Sequence, residues 1–577
     1  MPMSTPLPPE EYLSSLKSAG ESLLQQITTA FTDQMQRALN PLAPGEASAM
    51  VQRAFEAQRQ YFGLMTDLFS GTMLRQFGAA PPPVVDAPPG DKRFAGTEWS
   101  DDATLAFLKQ SYLIGSRLLY DLVDSTDLDN KERERLRFFT RQYVDAMSPS
   151  NLLATNREAV QRAVETGGVS FAEGLSNMLG DIAKGRISIT DEEAFEVGRN
   201  LATTPGSIVF ENPIFQLIQY APMTETVRER PLLLVPPCVN KFYILDLQPE
   251  NSFVRHALDC GHTVFMVSWR NTPPDQGHLT WDDYLRDAIM QAIDVTLEIG
   301  GTEQLDALGF CVGGTMLACA VAIQRAQGED KVASLTLLTT LLDFVNPGEI
   351  GLLVDETSVQ LRENTIGKGG ILPGRDLSFV FSTLRANDLI WPYVVNNYLK
   401  GTKPPAFDLL FWNADATNQP GPWYCWFLRN GYLENKIRHP GRTTGCGVPI
   451  DLGRIDMPTY VMAAKEDHIV PWTTAFQTTT LIKGPIRFVL GASGHVAGVV
   501  NPPKKKKRNL WVDGTYGKGT EAWFESATSV PGSWWSDWTD WLASRPDKMV
   551  SARAVLGTNR YQAIEPAPGR YVLEKAE

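Results

Sequence analysis

The chain has 577 residues, of which 43% are hydrophobic and 21% are charged, and its formal net charge is −13. This length exceeds what one ordinary hydrophobic core accommodates, so we expect two domains or one domain with large insertions. The acidic balance argues against a general nucleic-acid binder, because binding to phosphates requires a basic surface.

The sequence has no signal for export or for membrane insertion. Residues 1–11 lack a basic region followed by an apolar core, and no run of 18 apolar residues occurs. We therefore expect a cytoplasmic protein with no transmembrane segment. The six cysteines have neither CxxC nor metal-ligand spacing, which predicts reduced thiols and no metal site.

The first third of the chain has helical periodicity. Apolar residues recur at spacings of three, four and seven over 12–39, which predicts an amphipathic helix that either packs on its own domain or seeks a surface. The proline-rich stretch 81–90 predicts an extended linker behind it. Further helices are predicted over 103–123 and 131–147. We assign 1–90 to a helical arm with its linker and 91–203 to a helical N-terminal domain.

From about residue 204 onwards, strands and helices alternate. Strands are predicted over 207–210, 215–220, 231–235, 262–268, 334–339, 459–463 and 486–490, and a helix over 281–297. A mostly parallel sheet covered on both faces is the economical architecture for residues 204–577. The aromatic-rich stretch 343–451 interrupts this alternation. We expect it to form a lid over an apolar acyl channel.

Residues 305–315 predict a strand, a sharp turn at Cys311 and a helix. The Gly-x-Cys-x-Gly pattern matches a nucleophile elbow, in which small flanking residues let the backbone pass close to the exposed nucleophile. A cysteine flanked by glycines can also serve packing alone. A thiolate is a strong nucleophile and a good acyl carrier, so acyl transfer through a thioester is the first chemistry to consider.

Two further residues follow strands at the same predicted sheet edge. Asp467 comes after the strand 459–463 and His495 after the strand 486–490, which gives the hydrolase order of nucleophile, acid and histidine. His495 is the expected base and Asp467 its orienting partner, while His468 is a rival base. The backbone N–H of Val312 is expected to stabilise the oxyanion, with that of Val239 as the second donor.

Several longer motifs support this assignment. They lie at 236–247, 267–271, 309–314, 407–413, 421–426, 466–472 and 491–495. In these stretches the chain resembles the class I polyhydroxyalkanoate synthases, over roughly residues 90 to 570. The resemblance implies an α/β-hydrolase fold catalytic domain with a lid insertion, preceded by a mostly helical N-terminal domain.

The resemblance also implies the reaction and its partners. A synthase of this class transfers (R)-3-hydroxyacyl groups, chiefly 3-hydroxybutyryl, from coenzyme A (CoA) to a growing polyester. The CoA thioester is then the substrate, and no cofactor is expected. Cys311 looks like the acyl carrier and His495 the base, while Asp467 either activates the 3-hydroxyl or only orients His495. The family implies a homodimer on the surface of cytoplasmic polyester granules, with granule-coating proteins as further candidate partners.

Two other functions stay open at this point. A cysteine hydrolase on the same fold would use water in place of the hydroxyacyl group, but a long aromatic lid that excludes water favours transfer. A non-enzymatic granule or scaffold protein is the other alternative, and an intact triad speaks against it.

Two stretches near the C-terminus have distinctive composition. The basic run 504–508 is either a solvated loop or an attractant for the phosphates of CoA. Four tryptophans at helical spacing, Trp534, Trp535, Trp538 and Trp541, predict the inner face of a helix docked on the sheet.

Overall fold

The structure is a computed structural model that describes residues 44–76 and 81–576. These residues form two compact units. The first holds the described residues up to Thr190 together with Arg385–Pro405, and the second holds Asp191–Leu384 and the described residues from Ala406 onwards. The helix predicted over 12–39 lies outside the described residues. The residue boundaries assigned to the domains from the sequence stay predictions.

The first unit is helical. Its helices are Pro44–Gln76, Glu98–Asp101, Ala103–Asp124, Asn130–Ala146, Pro149–Asn151, Arg157–Glu165, Val169–Lys184, Ala386–Leu389, Trp391–Tyr393 and the π-helix Val394–Leu399. The helices predicted over 103–123 and 131–147 are confirmed. Each begins at an aspartate, Asp102 or Asp129, whose carboxylate accepts hydrogen bonds from the free N–H groups of the first turn.

The proline-rich stretch does not separate a free arm from this unit. The helix Pro44–Gln76 packs along Ala103–Asp124, with the rings of Phe69 and Phe107 5.4 Å apart. The stretch itself is irregular, but Gln110 Oε1 accepts hydrogen bonds from Val84 N and Val85 N at 2.9 Å each. A buried glutamine therefore fixes the stretch to the helix that follows it.

The second unit is built on a mixed sheet. Its strands are β1 Gly206–Glu211, β2 Phe215–Tyr220, β3 Thr226–Arg228, β4 Leu232–Val235, β5 Val264–Trp269, β6 Leu305–Phe310, β7 Val332–Leu338, β8 Ile371–Leu372, β9 Gln419–Pro420, β10 Thr444–Gly445, β11 Val448–Pro449, β12 Thr459–Ala464, β13 Ile486–Gly491, β14 Asn509–Val512, β15 Thr528–Pro531, β16 Met549–Ser551 and β17 Glu565–Pro566. Within the described ranges, the large sheet has the order β15-β14-β13-β12-β7-β6-β4-β5-β2-β1-β17.

The centre of this sheet is parallel. β5, β4, β6, β7, β12 and β13 pair in parallel register, whereas the strands at both edges pair antiparallel. Because parallel strands have their carboxyl ends at one edge, the residues that follow β4, β6, β12 and β13 meet there. The predicted strands are thus confirmed, and so is the alternation with helices.

Helices cover both faces of the sheet. The α-helices and π-helices of this unit are Phe253–Asp259, Trp281–Asp283, Tyr284–Met290, Gln291–Gly300, Val312–Ala326, Glu356–Asn364, Gly374–Leu384, Asp408–Ala414, Gly421–Phe427, Leu428–Leu433, Trp472–Ala475, Thr478–Leu481, His495–Val499, Thr520–Ser526 and Trp534–Ala543. Short 3-10 turns lie at Glu192–Ala194, Phe242–Leu245, Pro274–Gln276, Glu349–Leu353, Ile366–Lys368, Leu452–Arg454, Pro503–Lys505 and Tyr571–Leu573.

The tryptophan-rich helix docks on the sheet as the spacing predicts. All four indoles of Trp534–Ala543 are buried, and Trp538 Nε1 donates to Thr336 Oγ1 on β7 at 3.0 Å. Each such side chain removes a large apolar surface from water, which contributes about 2–3 kcal/mol. No helix in the described part of the chain is both long enough and apolar enough to cross a membrane.

The predicted lid is the long segment between β7 and β12. Most of it belongs to the second unit, but Arg385–Pro405 belongs to the first. It contains the consecutive helices Gly421–Phe427 and Leu428–Leu433, the latter a π-helix. Such local irregularities recur at functional sites, and this one borders the candidate site described next.

Candidate active site

Cys311 stands at a strained turn between β6 and the helix Val312–Ala326. Its backbone has φ 53° and ψ −128°, a conformation that a residue with a side chain rarely adopts. Strain of this kind costs on the order of 1–3 kcal/mol and persists where the surroundings hold it in place. The predicted nucleophile elbow is therefore present in the backbone.

The neighbouring glycines allow this turn because there is no room for a Cβ atom. A Cβ on Gly309 would come within 2.4 Å of Gly314 Cα, where the strand meets the first turn of the helix. A Cβ on Gly313 would lie 2.5 Å from the carbonyl oxygen of Pro236, just beyond β4. The glycines thus bring the loop after β4 against the beginning of the helix that follows Cys311.

His495 and Asp467 form a buried pair at the same edge. His495 Nδ1 and Asp467 Oδ2 are 2.7 Å apart, and both side chains are nearly inaccessible to solvent. Asp467 Oδ1 accepts two more hydrogen bonds, from Ile469 N at 2.9 Å and Val470 N at 2.8 Å. The three predicted site residues, which lie far apart in the sequence, therefore converge after their strands.

The imidazole of His495 holds its proton strongly. Burial lowers its pKa, but the charge of Asp467 and hydrogen bonds to Asp467 and Cys311 outweigh burial and raise the pKa to about 10. The Cys311 thiol is therefore close enough to the ring to contribute to this rise in pKa. At neutral pH this arrangement favours an imidazolium at His495.

His468, the rival base, does not take this position. Asp467 Oδ2 pairs with Nδ1 of the His495 ring at 2.7 Å. The Cys311 thiol also contributes to the raised pKa of His495. Of the two candidate bases, His495 is therefore the one that pairs with the carboxylate close to the thiol.

Two backbone N–H groups are available for an oxyanion. Val312 is the first residue of its helix and Val239 lies in the turn after β4, and both line the cavity with Cys311. Within the described ranges, neither N–H donates a hydrogen bond to another residue. The first N–H groups of a helix have no partner inside it, so they are suited to bind developing negative charge.

The insertion covers Cys311 with an apolar cavity of about 70 Å³. Its wall combines the nucleophile, side chains of the sheet edge and aromatic side chains of the insertion. The lining residues are Val239, Cys311, Val312, Thr315, Leu341, Phe344, Ile350, Leu377, Phe381, Trp423, Tyr424, Phe427, Leu428, Tyr432, Ile469 and Val470. The predicted position of the insertion above the nucleophile is thereby confirmed. Small-molecule sites usually measure about 300–1,000 Å³, so the cavity is small for a thioester with its CoA arm.

The roles of two residues near the site, Tyr432 and Lys241, were not identified from the sequence. Tyr432 lines the cavity but belongs to no recognised motif, and its largely polar sequence neighbours give no signal for a cavity. Lys241 lies in a motif, yet its burial and its contact with the C-terminal segment follow only from the fold.

Comparisons with known proteins agree with this geometry. Residues 90–257 match the family model described as poly-beta-hydroxybutyrate polymerase (PhaC) N-terminus, and residues 231–502 match the α/β-hydrolase fold. The chain is 54% identical to the poly(3-hydroxyalkanoate) polymerase subunit PhaC of Cupriavidus necator, over 84% of this chain and 83% of that one. It is 39% identical to the subunit of the same name from Rhizobium meliloti, over 91% and 86% of the two chains. The poly(3-hydroxyalkanoate) polymerase of Methylorubrum extorquens is 40% identical, over 91% and 87%.

Proposed function

The chain belongs to the poly(3-hydroxyalkanoate) polymerase family, and we propose that it polymerises short (R)-3-hydroxyacyl groups from CoA thioesters through a thioester on Cys311. It is an acyltransferase of class I, with the α/β-hydrolase fold of its relatives. The observation that carries the mechanism is the strained turn at Cys311 close to the buried, hydrogen-bonded His495–Asp467 pair. No resident cofactor is needed, because CoA enters as the activating and leaving group of the substrate.

Acyl loading is the first half of the proposed cycle. His495 holds the thiol proton, and the Cys311 sulfur attacks the thioester carbon, whose oxygen becomes an oxyanion. The N–H groups of Val312 and Val239 stabilise that charge. The C–S bond to CoA then breaks, the CoA sulfur takes the proton from His495, and the acyl group stays on Cys311.

Elongation forms the ester bond. A 3-hydroxyl attacks the acyl carbon on Cys311, His495 takes the hydroxyl proton and the cysteine sulfur leaves. For Asp467, the contacts support an orienting role rather than direct activation of the hydroxyl. One of its oxygens is hydrogen-bonded to His495 and the other accepts two backbone N–H groups.

The small cavity supports a short acyl unit as the substrate. Its wall is closed by bulky side chains, among them Phe344, Phe381 and Phe427. A 3-hydroxybutyryl group adds only a methyl branch to the polyester backbone, so it needs less space than a longer side chain. We therefore propose 3-hydroxybutyryl-CoA as the chief substrate.

Exposed apolar side chains support the proposal that the enzyme works on cytoplasmic polyester granules. On the helix Pro44–Gln76, Phe55, Phe62 and Phe69 recur every seven residues and are 70%, 59% and 56% exposed. The helix Val169–Lys184 exposes a second apolar row, at 171, 175 and 179. Exposed apolar rows of this kind mark surfaces that contact other apolar material. The homodimer and granule-coating proteins stay predictions.

The reaction is tested with the purified protein and (R)-3-hydroxybutyryl-CoA, following thiol release together with turbidity. We expect thiol release with rising turbidity and polyester in the pellet. Thiol release with only free hydroxy acid would instead identify a cysteine hydrolase. No thiol release would leave a non-enzymatic scaffold.

The nucleophile is tested by substitution. Cys311→Ala should abolish covalent acyl loading, detected by mass spectrometry of the intact protein after mixing with substrate. Cys446→Ala is the matched control, since that partly exposed thiol is not part of the cavity wall. Loading that persists in Cys311→Ala would refute the assignment.

A further inference from the structure

The cavity above Cys311 is lined mainly by apolar side chains, and its few polar side chains can donate hydrogen bonds. Among the described residues that line it, none carries a carboxylate, an amide, an imidazole or an ammonium group. Apart from the nucleophile, its polar side chains are Thr315, Trp423, Tyr424 and Tyr432. Thr315 Oγ1 donates to Leu341 O at 2.8 Å and is therefore satisfied. The remaining three are aromatic groups that can donate a hydrogen bond.

Tyr432 is the first of these donors. It lies in the π-helix Leu428–Leu433, and its ring packs on Phe344 and Phe427 at 5.1 and 5.4 Å between centroids. Its hydroxyl makes no hydrogen bond with any residue in 44–76 or 81–576. Burial and the nearby negative charges of Cys311 and Asp467 raise its pKa, so it remains a neutral donor close to the reacting groups.

Trp423 is the second donor. Its side chain is fully buried, with the ring 5.8 Å from that of Trp281 in a stacked arrangement. The indole N–H has no partner in the described part of the chain. A buried donor without a partner costs about 1–3 kcal/mol, so a ligand that accepts its hydrogen bond gains by binding there.

Tyr424 differs from these two in its surroundings. Burial raises the pKa of its hydroxyl, the other groups that act on it are Arg362, Cys425 and Asp376, and the Arg362 guanidinium lies 5.6 Å from its ring centroid. Neither Cys311 nor Asp467 contributes there. Its hydroxyl therefore faces a different environment from that of Tyr432.

The ligand expected here from the proposed function is an acyl or polyester chain. The oxygen atoms of an ester only accept hydrogen bonds, so a wall with free donors and no carboxylate complements them. We propose that the Tyr432 hydroxyl and the Trp423 indole N–H bind an oxygen atom of the acyl chain on Cys311. Both donors bind the oxygen on C3 of the unit next to the sulfur, whose two lone pairs can accept one hydrogen bond from each. This inference rests on the proposed polymerase mechanism and adds to it the residues that recognise a 3-oxygenated chain.

The test for Tyr432 compares two CoA analogues in which a methylene group replaces the thioester sulfur. One carries a (R)-3-hydroxybutyryl chain and the other a butyryl chain, and neither can transfer its acyl group. Binding is measured by titration calorimetry, which requires no turnover. Tyr432→Phe should weaken binding of the hydroxybutyryl analogue about five- to tenfold, the value of one hydrogen bond, and of the butyryl analogue less than about twofold.

Tyr393→Phe serves as the control. Tyr393 is a partly buried tyrosine of the same insertion that is not in the cavity wall. Both analogues should bind this variant as tightly as they bind wild type. Equal weakening of both analogues by Tyr432→Phe would mean that the hydroxyl has only a structural role. Unchanged binding of both would mean that it has no role. Either result overturns the proposal for Tyr432.

The test for Trp423 replaces its indole N–H alone. Incorporation of benzothienylalanine keeps the ring shape and exchanges the N–H for sulfur. At position 423 this replacement should weaken binding of the hydroxybutyryl analogue about three- to tenfold. The same replacement of Trp281 should leave binding unchanged, because its buried indole N–H also lacks a partner among the described residues but Trp281 is not in the cavity wall. Similar effects at both positions, or no effect at 423, would overturn the role of Trp423.

These tests are distinct from a failure of the polymerase assignment. If the wild-type protein releases no thiol from (R)-3-hydroxybutyryl-CoA, the proposed function fails. If wild type polymerises and the binding differences above are absent, only the inference about the two donors fails.

Discussion

The carboxylate of Asp467 accepts three hydrogen bonds, one from His495 and two from the backbone N–H groups of Ile469 and Val470. This fixes the carboxylate before substrate arrives, and it fixes the imidazole through Nδ1. At the scale of single residues, the proposed mechanism thus depends on a base that is positioned and held protonated by one buried carboxylate.

The raised pKa of His495 predicts a pH-dependent stability. Its folded value of about 10 lies above the ordinary 6.5, so the pair stabilises the fold fully below about pH 6.5 and loses this contribution as the pH rises towards 10. In urea unfolding, Asp467→Asn should be less stable than wild type by about 3 kcal/mol at pH 6, and the difference should shrink towards pH 10.

Glu466→Gln is the matched control for this prediction, because Glu466 is the exposed neighbour of Asp467. Its unfolding free energy should follow wild type at every pH. A constant difference between Asp467→Asn and wild type from about pH 6 to 10 would contradict the assigned pKa.

At the scale of elements, the loop after β4 is held by the C-terminal segment. The Lys241 ammonium is buried and donates to the carbonyl oxygen of Glu574 at 2.6 Å. Burial lowers its pKa to about 8, against the charge of Asp415. Asn271 Nδ2 holds the next carbonyl, that of Lys575, at 2.9 Å. The segment therefore supports the loop that carries the Val239 N–H.

Truncation after Arg570 should therefore impair both stability and activity. It removes the carbonyl oxygen that accepts from the Lys241 ammonium, and loss of a hydrogen bond to a charged group costs about 1.5–3 kcal/mol. We expect a lower unfolding free energy in urea and a kcat reduced about tenfold or more. Adding Lys241→Met to the truncated chain should recover part of the stability, because the unpaired charge is gone. If this double variant is no more stable than the truncation alone, Lys241 is not the reason for the loss.

The basic loop 504–508 offers a second element-scale prediction. Lys504, Lys505, Lys506 and Lys507 are exposed, and Lys505 also donates to Asn251 Oδ1 at 3.2 Å. If the loop attracts the phosphates of CoA, replacing Lys504, Lys506 and Lys507 by glutamine should raise KM several-fold at low salt and less at high salt. Lys518→Gln, an exposed lysine outside the loop, is the control. An equal rise in KM at both salt concentrations would mean that the loop is only solvated.

At the scale of the whole molecule, the two units differ in their surfaces. The helical unit exposes rows of large apolar side chains, whereas the catalytic unit buries its aromatic residues in two clusters that flank the sheet. The catalytic unit contains every residue assigned to acyl transfer. Under the proposed function, the chemistry lies in one unit and the proposed contact with the polyester in the other.

The granule proposal can be tested on these exposed rows. Phe55→Ser with Phe62→Ser should reduce the fraction of enzyme that sediments with isolated polyester granules by about half or more, since two exposed aromatic side chains are lost. Turnover of the soluble CoA substrate should persist. Val345→Ser, an equally exposed apolar residue of the catalytic unit, is the control. Unchanged sedimentation of the double variant would exclude this helix as the contact surface.

Much of the catalytic unit could be predicted because local patterns and the fold agree. Runs of buried apolar residues define the strands, and the glycines around Cys311 define the turn at which the nucleophile stands. Residues that follow parallel strands must share one edge, so Cys311, Asp467 and His495 could be brought together from their positions alone. The fixed position of the stretch 81–90 was harder to predict, because the hydrogen bonds that hold it come from Gln110 on a later helix.

The sequence by itself determined the element order, the elbow at Cys311 and the three side chains that meet beside it, because these depend on spacing along the chain. Only the tertiary structure decided which of His468 and His495 contacts Asp467, and that the insertion brings Tyr432 and Trp423 to the cavity. It also decided that the buried Lys241 ammonium donates a hydrogen bond to the carbonyl oxygen of Glu574. These contacts join residues that are distant in sequence and carry no local pattern, so only packing determines them.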